Sequence, residues 1–366
     1  MINRENYQVV KEYLAYLGEV KQLDAGTVAG YWAYFKYLLN YADNGTFYEL
    51  DGKNPTLPEY LRTITGNRKK PIITRTQARA LEAFKGFYTW AKIYKRGGYL
   101  KVSDTWLDSL RARRRDVNAS HEHMEHVFWS LDDILKVTRW EPVSIFEERA
   151  RAAVCFLYLS GMRAGAFVTL PVDCVDIRTG RVEQKPSKGV VTKNRKSAVT
   201  WLLPIPEMTA IVAAWDEKVR RLGCKNWFPP LKRAGMNYVL DREGDKKKSR
   251  LKTQALSFSV KQVCAALGIP YKSPHKLRHG HGVYGVKNAR NIEELKAVSQ
   301  NMMHATIGIT DGLYGVLPEE NVRQVLSTFH AGPPIQDHHI QDVGTLSPDI
   351  IQLARLLMEQ MNAQKK

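Results

Sequence analysis

A mainly α-helical protein of two domains, carrying a small β-sheet, is what this sequence predicts. Three observations support that expectation. A chain of 366 residues exceeds one ordinary core and suits two domains of roughly 100 to 200 residues each. Apolar residues recur at helical spacing through the first 110 positions. From Arg181 to Pro204 the pattern turns instead to β-prone runs.

The helices can be read in order. Val9, Val10, Tyr13 and Leu14 mark the first, and Val28, Tyr31, Trp32, Phe35, Leu38 and Leu39 the second. Pro55 and Pro58 flank a shorter segment from Leu57 to Ile64, and Gly66 with Pro71 separates it from a helix over Thr76 to Ile93. These four segments form a small bundle. A charged stretch, RARRRDVNASHEHMEHV, then reads as an interdomain linker. Its histidines, His121, His123 and His126, have spacings that could hold a metal, but no cysteine partners accompany them and a solvated linker accounts for them.

Beyond the linker, Ser130 with Asp133 forms an acidic capping box that opens the next helix. Glu147 to Ser160 predicts a helix that is largely apolar after Ala152 and ends at Gly161. Val190 to Thr192 and Val199 to Leu203 predict two strands joined by a turn at KNRKS. Pro206 starts a helix striped by Met208, Ile211, Val212, Trp215 and Val219. A polar loop, DREGDKKKSRLK, precedes a helix around Phe258 to Leu267. Ser347 to Met361 predicts a last amphipathic helix after a Gly/Pro/His-rich tether.

Composition narrows the partners. The 55 Lys and Arg outnumber the 37 Asp and Glu, for a net charge of +18, which points to a polyanion because each neutralised phosphate releases condensed counterions. Lys69, Lys70 and Arg75, the linker residues Arg111, Arg113 and Arg114, and Lys247 with Arg250 are the candidate backbone contacts. A charge run can also be just a solvated face. The four cysteines are scattered and form no C-x-x-C pair, so they read as reduced core thiols of a cytoplasmic protein. The N-terminus lacks the apolar stretch of a signal peptide, and no apolar run approaches membrane-spanning length.

The chemistry concentrates between Ser273 and Leu317, where His275, Arg278, His304 and Tyr314 fall close together in sequence. Arginine presents a planar fork matched to phosphate oxygens, histidine moves protons near neutral pH, and tyrosine can act as a covalent nucleophile. Cleaving a phosphodiester without a metal needs a nucleophile, fixed cations around the non-bridging oxygens and an acid for the leaving oxygen. Arg163, in G-M-R, and Lys193 or Lys196, in the KNRKS turn, can complete that set. Tyr284 is a rival nucleophile that reads better as packing, while His281, His338 and His339 read as structural or solvated. His279 stands four residues after His275, as in a zinc-protease helix, but Lys276 occupies the place of the required Glu.

The ordered series Arg, hairpin Lys, His-x-x-Arg, His and Tyr, with H-K-L-R-H at 275 to 279, resembles the tyrosine recombinase family of phage-type integrases and site-specific DNA recombinases. The resemblance implies a helical, SAM-like core-binding domain over 1–110, a basic linker over 111–127, and a mixed α/β catalytic domain over 128–333. Residues 334–366 would form a tether and a C-terminal helix that either covers its own domain or docks on a neighbouring subunit. The two domains would make a C-shaped clamp around double-stranded DNA. Tyr314 would be the nucleophile forming a 3′-phosphotyrosine bond, with Arg163 and Arg278 on the scissile phosphate. His275 and His304 would add hydrogen bonds or proton transfer, and Lys193, with Lys196 as second choice, would be the general acid. The resemblance further implies a homo-tetramer on paired sites, a directionality or accessory DNA-bending protein as a further partner, a nucleoid-associated location, and no need of a metal, nucleotide or other cofactor. A type IB topoisomerase, or a DNA-binding protein that kept the fold and lost catalysis, are the alternatives. The chain departs from the family pattern in three places. Met302 and Met303 precede His304 where L-G is common, Ala166 stands where many members have Glu, and the interval from His304 to Tyr314 is about one residue longer than usual.

Overall fold

Helical spacing of apolar residues becomes helix throughout the N-terminal part of the protein. The structure is a computed structural model that describes residues 2–65, 71–117, 127–241, 249–304 and residue 308. By its internal contacts the chain divides into two units, Met1–His126 and Val127–Lys366.

The first unit contains α1 (Arg4–Glu19), α2 (Ala25–Ala42), α3 (Leu57–Thr63), α4 (Thr74–Tyr94) and the short α5 (Asp104–Ser109). Side chains close the starts of α1, α2, α3 and α5. The Asn3 side chain accepts from the Glu5 and Asn6 amides at 2.9 and 3.2 Å, and Asp24 accepts from the Thr27 amide at 3.0 Å. At α3, Thr56 and Glu59 form a capping box. The helices meet on an aromatic core centred on Phe87, whose ring lies 5.4 Å from Tyr13, 5.3 Å from Phe35 and 5.5 Å from Phe47, all in edge contact. The Tyr88 hydroxyl is buried and donates to the Phe47 carbonyl at 2.7 Å, so its polar end is satisfied.

The second unit opens with α6 (Leu131–Arg139), capped as expected by Ser130 and Asp133. Helix α7 (Ile145–Ser160) follows, with every residue from Ala152 to Ser160 buried. Then come α8 (Ala164–Phe167), β1 (Val175–Asp176), β2 (Arg181–Gln184), β3 (Ala198–Trp201), α9 (Pro206–Arg221), β4 (Leu231–Ala234), β5 (Asn237–Leu240), α10 (Ser249–Ala266), α11 (Pro274–Asn288) and α12 (Ile292–Asn301). β1, β2 and β3 form an antiparallel sheet in that order, and β4 and β5 form a separate hairpin. Around α7, Trp227 fills the core against Phe156 at 4.4 Å and Phe167 at 5.7 Å, and its indole donates to buried Asp216 at 3.0 Å.

Two sequence expectations need correction. Val190 to Thr192 is not a strand; the partner of β3 is β2, in register from Arg181 opposite Trp201 to Gln184 opposite Ala198. Residues 185–197 form the connection, in which Val190 is a buried anchor and the Val191 amide donates to Thr169 Oγ1 at 2.9 Å. Branched side chains suit any half-buried surface, so their run marks the anchor and not a ladder. The helix expected around Phe258 begins at Ser249, because Leu256, Val260 and Val263 bury one side and the Thr253 and Ser257 hydroxyls bond back to carbonyls four residues earlier. Arg250 therefore sits on the first turn of a helix and not in the polar loop. The β4–β5 hairpin had no counterpart in the sequence reading. Lys69, Lys70, Lys247, Tyr314, the linker histidines, the tether and the helix expected over 347–361 lie outside the described residues.

Replacing the central ring of the first core, Phe87→Ala, is expected to cost about 3 to 5 kcal/mol. Urea unfolding followed by the aromatic signal would measure it, and a loss below about 1 kcal/mol would contradict the placement of Phe87.

Candidate active site

The site is built on the end of α7. Gly161 closes that helix with φ of +61°, a left-handed conformation that a side chain would strain. The chain then runs through buried Met162 to Arg163, whose carbonyl accepts from the Ala166 and Phe167 amides at 3.0 Å each and starts α8. Arg163 itself is half-buried.

Helix α11 crosses this end. Its close approach needs a bare Cα, since a Cβ at Gly280 would come within 2.2 Å of the Trp129 carbonyl oxygen, just before α6, and 2.8 Å of the Tyr158 ring on α7. Arg278, buried on α11, donates from Nη1 to the Gly161 carbonyl at 2.6 Å and from Nη2 to the Met302 carbonyl. Gly161 lies two residues before Arg163, and Met302 two residues before His304. One guanidinium thus holds together the segments that present both. At the second segment, the His304 amide donates to the Ser299 carbonyl at 3.1 Å, closing the end of α12. Asn301 locks that end to the sheet, accepting from the Trp201 amide at 2.7 Å and donating to the Trp201 carbonyl at 3.0 Å.

Electrostatics show the same convergence. Burial first, then Arg278 and Arg163, push the His304 imidazole down to about 4. The His275 side chain is exposed as a whole, yet crowding around its ring, then Arg278, Lys276 and Arg163, lower its pKa as well. Arg163, His275, Arg278 and His304 therefore share one local field, and both imidazoles are neutral near pH 7. His279 sets the edge of its ring against His275, with centroids 4.8 Å apart and an interplanar angle of 82°. Tyr284 packs against Tyr158 at 6.3 Å.

Lys193 and Lys196 are both exposed on the β2–β3 connection. Lys193 opens a turn in which Asn194 and Arg195 have φ of +57° and +52°. Two residues earlier, the Val191 bond to Thr169 pins this loop beside α8, and the Val191 carbonyl lies 3.9 Å from where a Gly165 Cβ would stand. The loop bearing the lysines is thereby tied to the helix that Arg163 begins.

Among the other sequence candidates, Arg75 is exposed on the first turn of α4, and Arg250 is exposed on the first turn of α10. Arg111, Arg113 and Arg114 line a groove of about 690 Å³ with Arg62 and Thr56 in the first unit. His281, which the sequence reads as structural or solvated, is 1% exposed and bonds to the Tyr158 carbonyl at 2.8 Å, so it is structural and not solvated. It stands three residues after Arg278, on the same helix face.

A helix end that gathers two arginines and two histidines, beside a lysine-bearing hairpin connection, has side chains suited to holding a phosphodiester and moving its protons. The chain belongs to the phage integrase family: the model of that family matches residues 131–317, just over half of the chain and wholly within the second unit. It is a tyrosine recombinase. A search of curated proteins finds no match. Among solved structures, the integrase of the Tn1549 transposon in complex with a circular intermediate DNA is similar at 11% identity and a TM-score of 0.60, covering 90% of this chain and 100% of that one. The XerH site-specific recombinase bound to a palindromic difH substrate, a post-cleavage complex, is similar at 14% identity and a TM-score of 0.57, covering 82% of this chain and 79% of that one. At such identities the likeness is one of fold.

Acid stability follows from His281. Burial, first, and Arg278 push its imidazole down to about 4, against the bonding to backbone carbonyls that raises it. A depressed histidine stabilises the fold fully above its unfolded value near 6.5 and loses that contribution as pH falls from there toward about 4, since the unfolded chain takes up the proton first. Lowering the pH from 7 to 4 is expected to remove on the order of 3 kcal/mol through this group, and His281→Asn to remove that part of the pH dependence. Urea midpoints across the range measure both, and parallel curves for the two proteins would contradict the assignment.

Proposed function

We propose that the protein is the integrase of a mobile element, a site-specific recombinase that cuts double-stranded DNA through a 3′-phosphotyrosine intermediate formed on Tyr314. The observation that carries this reading is the gathering of Arg163, His275, Arg278 and His304 around the ends of α7 and α12. The Tyr314 oxygen attacks the scissile phosphorus as its proton passes to a neutral site imidazole, the bond to the 5′ oxygen breaks, and Lys193 delivers a proton to that oxygen. Arg163 and Arg278 hold the non-bridging oxygens as charge builds in the pentacoordinate transition state, where preorganised donors act most strongly. His275 and His304, neutral before the phosphate arrives, supply hydrogen bonds or proton transfer. Bond energy is kept in the phosphotyrosine, so rejoining needs no nucleotide.

Residues 1–110 serve as the DNA-gripping domain, 111–127 as the linker, 128–333 as the catalytic domain and 334–366 as a tether and helix. Arg75, Arg111, Arg113, Arg114 and Arg250, with Lys69, Lys70 and Lys247, follow the DNA backbone. Similar structures that carry DNA support this reading. The working assembly is a homo-tetramer on paired sites, on DNA in the cytoplasm, joined by a directionality or DNA-bending protein.

A nicked suicide DNA substrate is expected to trap a covalent adduct with the native protein and none with Tyr314→Phe. No adduct with the native protein would leave only DNA binding, and relaxation of plasmids lacking paired sites would favour a topoisomerase. Arg163→Ala is expected to slow single-turnover cleavage by about 10²- to 10³-fold. For Lys193→Ala, a substrate with sulfur at the 5′ bridging position should restore the rate, because a thiolate leaves without a proton. Rescue of Lys196→Ala in its place would move the acid to Lys196.

A further inference from the structure

We infer that His281 is a positioning residue for Arg163, acting through the turn at Gly161; the inference rests on the recombinase reading above. A helix leaves its last carbonyls without partners inside the helix, and α7 is too deeply buried for water to supply them. At this end the donors come from several elements. The Leu157 carbonyl accepts from the Gly161 amide at 3.0 Å, and the Leu159 carbonyl from the Leu203 amide at 2.9 Å. The Gly161 carbonyl takes Arg278 Nη1 at 2.6 Å, and the Tyr158 carbonyl takes His281 Nδ1 at 2.8 Å. A carbonyl can only accept, so the neutral ring carries its proton on Nδ1.

The same ring sets the shape of the turn. A Cβ on Gly161 would stand 2.6 Å from His281 Cδ2 and 2.9 Å from its Cγ, so the imidazole occupies the space beside that Cα. Gly161 is held on one side by the His281 ring and through its carbonyl by Arg278. Met162 is then buried, and Arg163 is the first residue to emerge. A phenylalanine would fill the volume but leave the Tyr158 carbonyl buried without a donor, and the helix end would shift to find one. Arg163 would move with it. A displacement of about 1 Å at a phosphate-binding group can slow chemistry on the order of 100-fold without loss of binding.

The test compares native protein, His281→Phe and His281→Asn on the nicked suicide substrate, with melting curves to establish folding. His281→Phe is expected to cleave about 10- to 100-fold more slowly in a single turnover, with Kd for the same DNA within about twofold of native. His281→Asn carries an amide N–H near the place of Nδ1 and is expected to cleave within about fivefold of native, even if it melts earlier. Folded His281→Phe cleaving at the native rate overturns the inference, as does an asparagine variant no faster than the phenylalanine one. Gly161→Ala approaches the turn from the other side: slowed cleavage with unchanged Kd supports the inference, and native-rate cleavage overturns it even should His281→Phe fail to fold. Absence of an adduct with the native protein defeats the recombinase reading itself, an outcome distinct from equal cleavage by native and variant.

Discussion

The buried C-terminal end of α7 is the constraint on which the second unit depends. Packing apolar side chains around α7 is favourable but non-directional, and it would tolerate neighbouring helices at several heights. Carbonyls do not allow that freedom. Those of Tyr158 and Gly161 must be met by donors at hydrogen-bond distance, and the donors are side chains of α11. That requirement fixes the height at which α11 crosses α7, and with it the position of His275 on the first turn of α11. The bare Cα of Gly280 lets the crossing be close enough for those bonds to form.

Arg278 joins folding to chemistry. Burying a guanidinium is costly unless its donors are satisfied, and here bonds to two carbonyls help offset the loss of water. Its charge is not removed, and after burial, the larger cause, it and Arg163 lower the pKa of both site histidines. A phosphate group entering this field would meet fixed cations and neutral imidazoles able to donate or accept. The net charge of +18 acts at longer range and favours the approach of a polyanion.

Much of this was legible in advance. The helical periods of the first unit, the capping box at Ser130, the apolar helix ending at Gly161 and the H-K-L-R-H segment are local patterns, and local physics sets them. The errors are equally physical. Val190 was read as a strand residue because burial and strand pairing both favour branched side chains. The start of α10 was missed because its first turn, at Ser249 and Arg250, is polar; only Leu256, Val260 and Val263 reveal the buried side. The β4–β5 hairpin escaped notice because its strands are only four residues long, β4 is almost wholly exposed, and the alternation of β5 spans too few residues to stand out.

By itself the sequence determined the class of chemistry, since residue types decide what can bind phosphate or move a proton, and it determined the helices, since their spacing is set within a few turns. Tertiary structure decided how those groups meet. Arg278 and Gly161 are 117 positions apart, and His281 and Tyr158 are 123 apart. No local pattern records which carbonyl a buried donor will satisfy. That choice is made only when the core closes, because a hydrogen bond demands a particular distance and direction whereas apolar burial demands only coverage.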